Sequence, residues 1–263
     1  MLKHPFRVLW RFADFLIVSF LAISDFLLRK WLFGKTNHAE RAAWSHRWAR
    51  QFVRCLNIQP SFSGEPPMSG ILTANHLGYL DILLLAARQP VVFVSKSEVR
   101  NWPIIGWLAI CGGTLFVNRQ RKSDVAALGP AFAPVINAGA VLVLFPEGTS
   151  TGGDRVLPFM PSLLEPAAQN GWAISPAWIG YSLNEGSVAD EVAYWRDMTF
   201  LPHFVNLLSK SEIRARVVYS PSMPSGLDRK RLAKRLRDQI EETARQNGIL
   251  IQGTDKNACA TVT

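Results

Sequence analysis

The stretch Ile71-Leu72-Thr73-Ala74-Asn75-His76-Leu77-Gly78-Tyr79-Leu80-Asp81 changes character twice. Residues 71–74 form a short β-rich apolar run, Asn75 to Gly78 has turn chemistry, and an apolar helical pattern opens at Asp81 and runs to Arg88. The same alternation continues, with β-rich runs at residues 91–95, 114–118, 140–145, 174–181 and 213–219 and helical stretches at 104–111 and 161–170. Alternation of this kind predicts an α/β fold: a mostly parallel mixed sheet flanked by helices, with ligands bound where strands end and loops begin.

At 263 residues the chain is long enough for one main domain with a full core. The turn-rich segment 63–70 divides an N-terminal helical part, residues 1–62, from an α/β body, residues 63–251. Near the end of the body Leu232, Leu236 and Ile240 recur every fourth residue among Arg, Lys and Glu, the pattern of an amphipathic helix with Gly248 as its stop. Residues 252–263 read as a polar tail.

Net charge is +9, and residues 1–54 hold most of it, with ten Lys and Arg against three acidic residues. That excess favours anionic partners and surrounds the most apolar part of the chain, residues 15–24. About seventeen residues separate Arg11 from Arg29, the lower limit for a helix that spans a bilayer. Asp14 and Asp25 lie three helical turns apart and would share one face, leaving the other apolar. The expectation is a helix in the lipid interface, with Lys and Arg near phosphates and Trp10 and Trp31 at headgroup depth. A cleaved signal peptide does not fit, because Arg29-Lys30-Trp31 stands where a small-residue cleavage site belongs. Cys55, Cys111 and Cys259 are odd in number and widely spaced, which argues against a disulfide framework and a zinc site and for a cytosolic body. No nucleic-acid-binding module is recognisable, so the charge points to anionic membrane lipids.

A spacing of five does not bring two side chains together on one helix, but across a strand end and a turn at Gly78, His76 and Asp81 can meet. Asp81 would then fix the tautomer of His76, and the other ring nitrogen would take a proton from a hydroxyl. The same residues also suit a plain turn and a helix cap, and the choice depends on their surroundings. A second element, Phe145-Pro146-Glu147-Gly148-Thr149-Ser150, follows the apolar run 140–144 and places polar atoms at the same edge of the sheet. Lys96 and Arg119 end two further strand-like runs and are candidate phosphate ligands.

In this order the elements resemble the glycerolipid acyltransferase family that includes the 1-acylglycerol-3-phosphate acyltransferases. Its first motif, Asn-His, four residues and an Asp, is matched by Asn75-His76 to Asp81; its second, Phe-x-x-Arg, by Phe116 to Arg119; its third, Phe-Pro-Glu-Gly-Thr, by Phe145 to Thr149. A fourth, an apolar strand with a central Pro, is matched by Ile174-Ser175-Pro176-Ala177, so the resemblance covers residues 70–220. It implies that His76 is the general base, that Asp81 orients it, and that Arg119, Glu147, Gly148 and Thr149 form the acceptor pocket with Lys96 on a phosphate. It also implies an acyl donor that is a thioester of coenzyme A or acyl carrier protein, a lysolipid acceptor, and no metal or cofactor. The N-terminal helical pair is expected in one leaflet, on the cytoplasmic face of the membrane.

Two positions depart from the pattern. Members acting on lysophosphatidate often continue the third motif with Arg, where this chain has Ser150, and carry Phe-Lys-x-Gly where this chain has Phe159-Met160-Pro161-Ser162. Arg155 is a candidate substitute. The run through Arg155-Val156-Leu157-Pro158-Phe159 and Asp197-Met198-Thr199-Phe200-Leu201-Pro202-His203 is similar to a branch containing lyso-ornithine lipid acyltransferases, whose acceptor has no phosphate. Lysophosphatidate is the first expected acceptor and lyso-ornithine lipid the second. Two rival classes remain: a serine hydrolase using Ser150 in Gly148-Thr149-Ser150-Thr151-Gly152 with His203 as base, and a basic membrane-binding protein without chemistry.

Overall fold

The computed structural model describes residues 4–118, 127–226 and 228–248. All six expected runs are strands: β2 (Gly70–Ala74), β3 (Val91–Lys96), β4 (Leu115–Val117), β5 (Val141–Leu144), β6 (Ile174–Ser182) and β7 (Ile213–Tyr219). They join one further strand, β1 (Ile58–Ser63), in a seven-stranded sheet of order β1-β7-β6-β2-β5-β3-β4. Every neighbouring pair is parallel except β6 with β7. The sequence conceals β1 because Pro60 interrupts it and its side chains are mostly solvated, both of which a sheet edge tolerates. β1 also carries the sheet across the expected division at residue 62.

Successive residues of the central strands feed opposite layers, which is why these strands are apolar throughout. Leu72, Val141 and Val143 pack with α2 (His38–Cys55), α3 (Tyr79–Arg88) and α8 (Phe200–Ser209); Ile71 and Leu142 pack with α5 (Leu128–Asn137), α6 (Pro161–Asn170) and α9 (Arg229–Gln246). Helix α4 (Ile105–Cys111) and the short α7 (Val188–Glu191) complete the described α-helices with α1 (Pro5–Phe33), and a 3-10 helix spans Ser97–Asn101. In α9 Leu232, Leu236 and Ile240 are buried as their spacing predicts, and Asp228 caps the first turn through the N–H groups of Lys230 and Arg231.

Helix α1 buries Val8, Phe15, Ser19, Ala22 and Phe26 along one stripe. On the protein side Asp25 accepts from Trp48 Nε1 at 3.0 Å and pairs with Arg29 at 2.7 Å and Arg47 at 3.4 Å. The opposite face is apolar and bare, with Trp10 75%, Phe20 70% and Trp31 79% exposed. Among the described residues no helix is long and apolar enough to cross a membrane.

Several of the N-terminal arginines bind the protein itself. Arg7 donates to Ser209 O at 2.8 Å, Arg11 to the carbonyls of Leu208, Lys210 and Ser211 at the end of α8, and Arg41 to Ile110 and Cys111 at the end of α4. Each satisfies carbonyls that a helix end leaves without partners, at the pole where a cation is favoured. Cys55 and Cys111 are buried free thiols, and Cys259 lies outside the described residues.

Candidate active site

The sheet order explains how the motifs meet. β2 lies beside β5, with Thr73 opposite Leu144, so the loops that follow them leave the sheet together, and β3, which ends at Lys96, lies on the other side of β5. Asn75 stitches the end of β2 to β6, donating to Ile179 O at 2.9 Å and accepting from Ile179 N at 2.7 Å. His76 follows, its ring stacked on Phe145 with centroids 4.1 Å apart.

The chain then turns sharply. Gly78 has φ +155°, and a Cβ there would meet Tyr194 at 3.0 Å, so a side chain is both strained and crowded. The turn brings Asp81, in the first turn of α3, back to His76: Asp81 Oδ2 accepts from His76 Nδ1 at 2.8 Å, from Leu77 N at 2.7 Å and from Gly78 N at 3.0 Å. Asp81 Oδ1 accepts from Tyr181 Oη at 2.6 Å. Asp81 is wholly buried, so its charge is stabilised by these donors in place of water. His76 keeps 21% of its side-chain surface exposed, and with Nδ1 engaged, Nε2 is the nitrogen available to a substrate.

Glu147 departs from expectation. Its carboxylate does not line the pocket; it is buried between two backbone donors, Oε1 accepting from His76 N and Oε2 from Leu157 N, both at 3.0 Å. Burial pushes its pKa up to about 8 although both N–H groups pull it down. Thr151 N adds a bond to His76 O at 2.9 Å, so the backbone of His76 is held on both sides. The site uses Glu147 to place the His76 backbone, a role invisible from its position after an apolar strand.

Beside the dyad opens a cavity of about 330 Å³. His76, Gly148, Thr149, Ser150 and Lys96 line it together with apolar residues of the N-terminal helices and α3, among them Phe15, Trp44, Phe52, Ile82 and Ala86. Its size and mostly apolar wall with a few polar groups suit an organic ligand with a long apolar part. Arg119 lies outside the described residues. Arg155 is half-exposed and paired with Asp154 at 2.6 Å, away from the cavity lining.

The hydrolase reading fails on geometry. Ser150 Oγ donates to Tyr194 O at 2.5 Å, while His203 is hydrogen-bonded through Nδ1 to Tyr79 Oη at 2.8 Å. The helix that must follow a nucleophile elbow is absent, since the next one, α6, opens only at Pro161.

The family model described as Acyltransferase matches residues 63–180. The lyso-ornithine lipid O-acyltransferase of Pseudomonas aeruginosa is 34% identical over 73% of this chain and 75% of its own length. The chain belongs to the acyltransferase family. The lyso-ornithine lipid O-acyltransferase of Rhodobacter capsulatus is 38% identical over 65% of this acyltransferase and 64% of its own length. The 1-acyl-sn-glycerol-3-phosphate acyltransferase of Neisseria meningitidis is 27% identical over 69% of this chain and 70% of its own. The crystal structure of the 1-acyl-sn-glycerophosphate acyltransferase of Thermotoga maritima shares the fold, with a TM-score of 0.69 at 16% identity over 92% of this acyltransferase and 95% of that chain.

Motif reading found Asn75, His76 and Asp81 but missed Tyr181, Tyr194, the bonds of Asn75 to β6 and the stacking role of Phe145. One signal for Tyr181 was present: its strand run is long, and the nine residues of β6 outreach the five of β2, so Tyr181, still paired with β7, lies beyond the end of β2 and reaches Asp81.

Proposed function

We propose that this acyltransferase moves a fatty acyl chain from a thioester of coenzyme A or acyl carrier protein to the free hydroxyl of a lysolipid at a membrane surface, and that lyso-ornithine lipid is its first acceptor. The observation that carries the chemistry is the His76–Asp81 hydrogen bond of 2.8 Å beside an apolar cavity. His76 Nε2 takes the proton of the acceptor hydroxyl as its oxygen attacks the thioester carbonyl carbon. The tetrahedral intermediate collapses, the carbon–sulfur bond breaks, and the proton on His76 passes to the departing thiolate. Base catalysis of this kind contributes roughly 100- to 10,000-fold, and holding both reactants in one orientation contributes further.

The sequence alone ranked lysophosphatidate first. Two observations support the opposite order: the lyso-ornithine lipid O-acyltransferases of Rhodobacter capsulatus and Pseudomonas aeruginosa are 38% and 34% identical, against 27% for the Neisseria relative, and Ser150, where a cation would stand, is occupied in holding Tyr194. Lysophosphatidate is the second reading, supported by the Neisseria relative and by Lys96 on the cavity wall. The apolar chain of a substrate would lie along Phe52, Ile82 and Ala86, and the bare face of α1 would rest among lipids on the cytoplasmic side, with anionic headgroups near the remaining basic residues.

The test is acyl transfer from labelled acyl-CoA and acyl carrier protein to lyso-ornithine lipid and lysophosphatidate in parallel, by wild type and His76→Ala. Wild-type acylation of lyso-ornithine lipid, lost in His76→Ala, is expected. Acylation of neither acceptor overturns the substrate reading, and full activity in His76→Ala overturns the mechanism.

A further inference from the structure

Asp81 has four hydrogen-bond donors, and three of them are local: His76 Nδ1, Leu77 N and Gly78 N all converge on Oδ2. The fourth, Tyr181 Oη, comes from another element, β6, and alone of the four takes Oδ1, at 2.6 Å. A buried carboxylate with one oxygen loaded by three donors needs a partner on the other oxygen both to hold its rotamer and to spread its charge.

We propose that Tyr181 is a positioning residue for proton transfer, acting through Asp81: it fixes the carboxylate with Oδ2 on His76 and sets how much negative charge Asp81 leaves for the imidazole. The proposal rests on the reading of His76 as general base. Burial holds the Tyr181 phenol far above the ordinary tyrosine range, so it remains a donor at working pH. The other groups near the pair are Tyr79 on α3, bonded to His203 of α8, and Glu147 after β5, which grips the His76 backbone and feels Arg237 of α9; Lys96 at the end of β3 lines the same cavity. None of these donates to Asp81 Oδ1 in the structure.

The sign of the effect follows from charge. Without the phenol, Asp81 offers its full charge to His76, which then holds a proton more firmly and acts as base only at higher pH. A stronger phenol donor does the reverse. The experiment compares wild type, Tyr181→Phe and full-length protein carrying 3-fluorotyrosine in place of Tyr181, reading kcat, KM and the pH profile of kcat/KM, with thermal unfolding alongside. In Tyr181→Phe we expect kcat down on the order of tenfold, KM for both substrates within about twofold, and the acidic limb moved up by about one pH unit, the size of one hydrogen bond to a charged group. With 3-fluorotyrosine, whose hydroxyl is the stronger donor, the limb moves down. Unchanged limbs in both variants, with only stability lost, overturn the proposal and leave Tyr181 a core residue. If Tyr181→Phe does not fold, the 3-fluorotyrosine profile decides alone. A His76→Ala control that stays fully active fails the general-base reading itself, independently of either profile.

Discussion

His76 and Asp81 meet because Gly78 lets the chain reverse between a strand end and a helix start, and two backbone N–H groups in that reversal bind the same carboxylate oxygen as the imidazole. Replacing His76 by Ala is expected to lower kcat by roughly 100- to 10,000-fold with little change in thermal stability, measured by steady-state transfer and melting. Ser150→Ala, by contrast, should retain most of the activity, since this hydroxyl serves the Tyr194 carbonyl and the proposed transfer passes through no acyl-enzyme; loss of all activity would revive a nucleophilic role. Glu147 carries a pH signature. Its folded pKa is raised to about 8, so between the ordinary carboxylate range and that value the folded protein keeps a proton that the unfolded chain has released. Stability through this group is therefore present at low pH and lost as pH rises through that window. Urea unfolding of wild type at about pH 5 and about pH 8 should show that loss, and Glu147→Gln should flatten it. Above that window, where wild-type Glu147 is ionised, the same variant leaves one of the two backbone N–H groups without an acceptor, a cost of about 1–3 kcal/mol.

Helix α1 divides its residues by face. Its buried stripe and its arginines belong to the protein, Arg11 closing the end of α8 and Asp25 gripping α2 through Arg47 and Trp48, while Trp10, Phe20 and Trp31 face outward. With Arg7, Arg11, Arg41 and Arg47 committed to internal contacts, the bare apolar face becomes the main candidate for holding a bilayer. Vesicle flotation should accordingly weaken several-fold for a Trp10→Ser, Phe20→Ser double variant and respond little to salt; strong salt sensitivity with an unaffected double variant would return the role to charge. Arg11→Ala should instead lower stability, because it removes the side-chain donor to the carbonyls of Leu208 and Lys210 and leaves that of Ser211 to Asn57 alone. The spacing of Asp14 and Asp25 anticipated a two-faced helix, but which arginines bind the protein itself was decided by the helix ends that α1 and α2 approach.

At the scale of the whole molecule, the cavity exists only where the N-terminal helices close over the sheet edge, joining Phe15, Trp44 and Phe52 to Ile82, Ala86 and the dyad. Ala86→Phe should shorten the preferred acyl chain in a donor competition assay while leaving transfer of short chains intact. The strand and helix periods, the four motifs in order and the dyad itself were legible in the sequence, because each depends on residues near one another along the chain: apolar runs, a Gly turn, a spacing of five. Hence the α/β class, the mostly parallel sheet and the meeting of His76 with Asp81 were determined by sequence alone. The tertiary structure alone decided the rest: that β1 closes an edge despite Pro60, that Glu147 braces the His76 backbone instead of lining the pocket, and that Tyr181 reaches Asp81. These depend on which strand lies beside which. A buried carboxylate takes whatever donor the neighbouring strand presents, and strand adjacency is a long-range outcome of packing that local spacing does not encode.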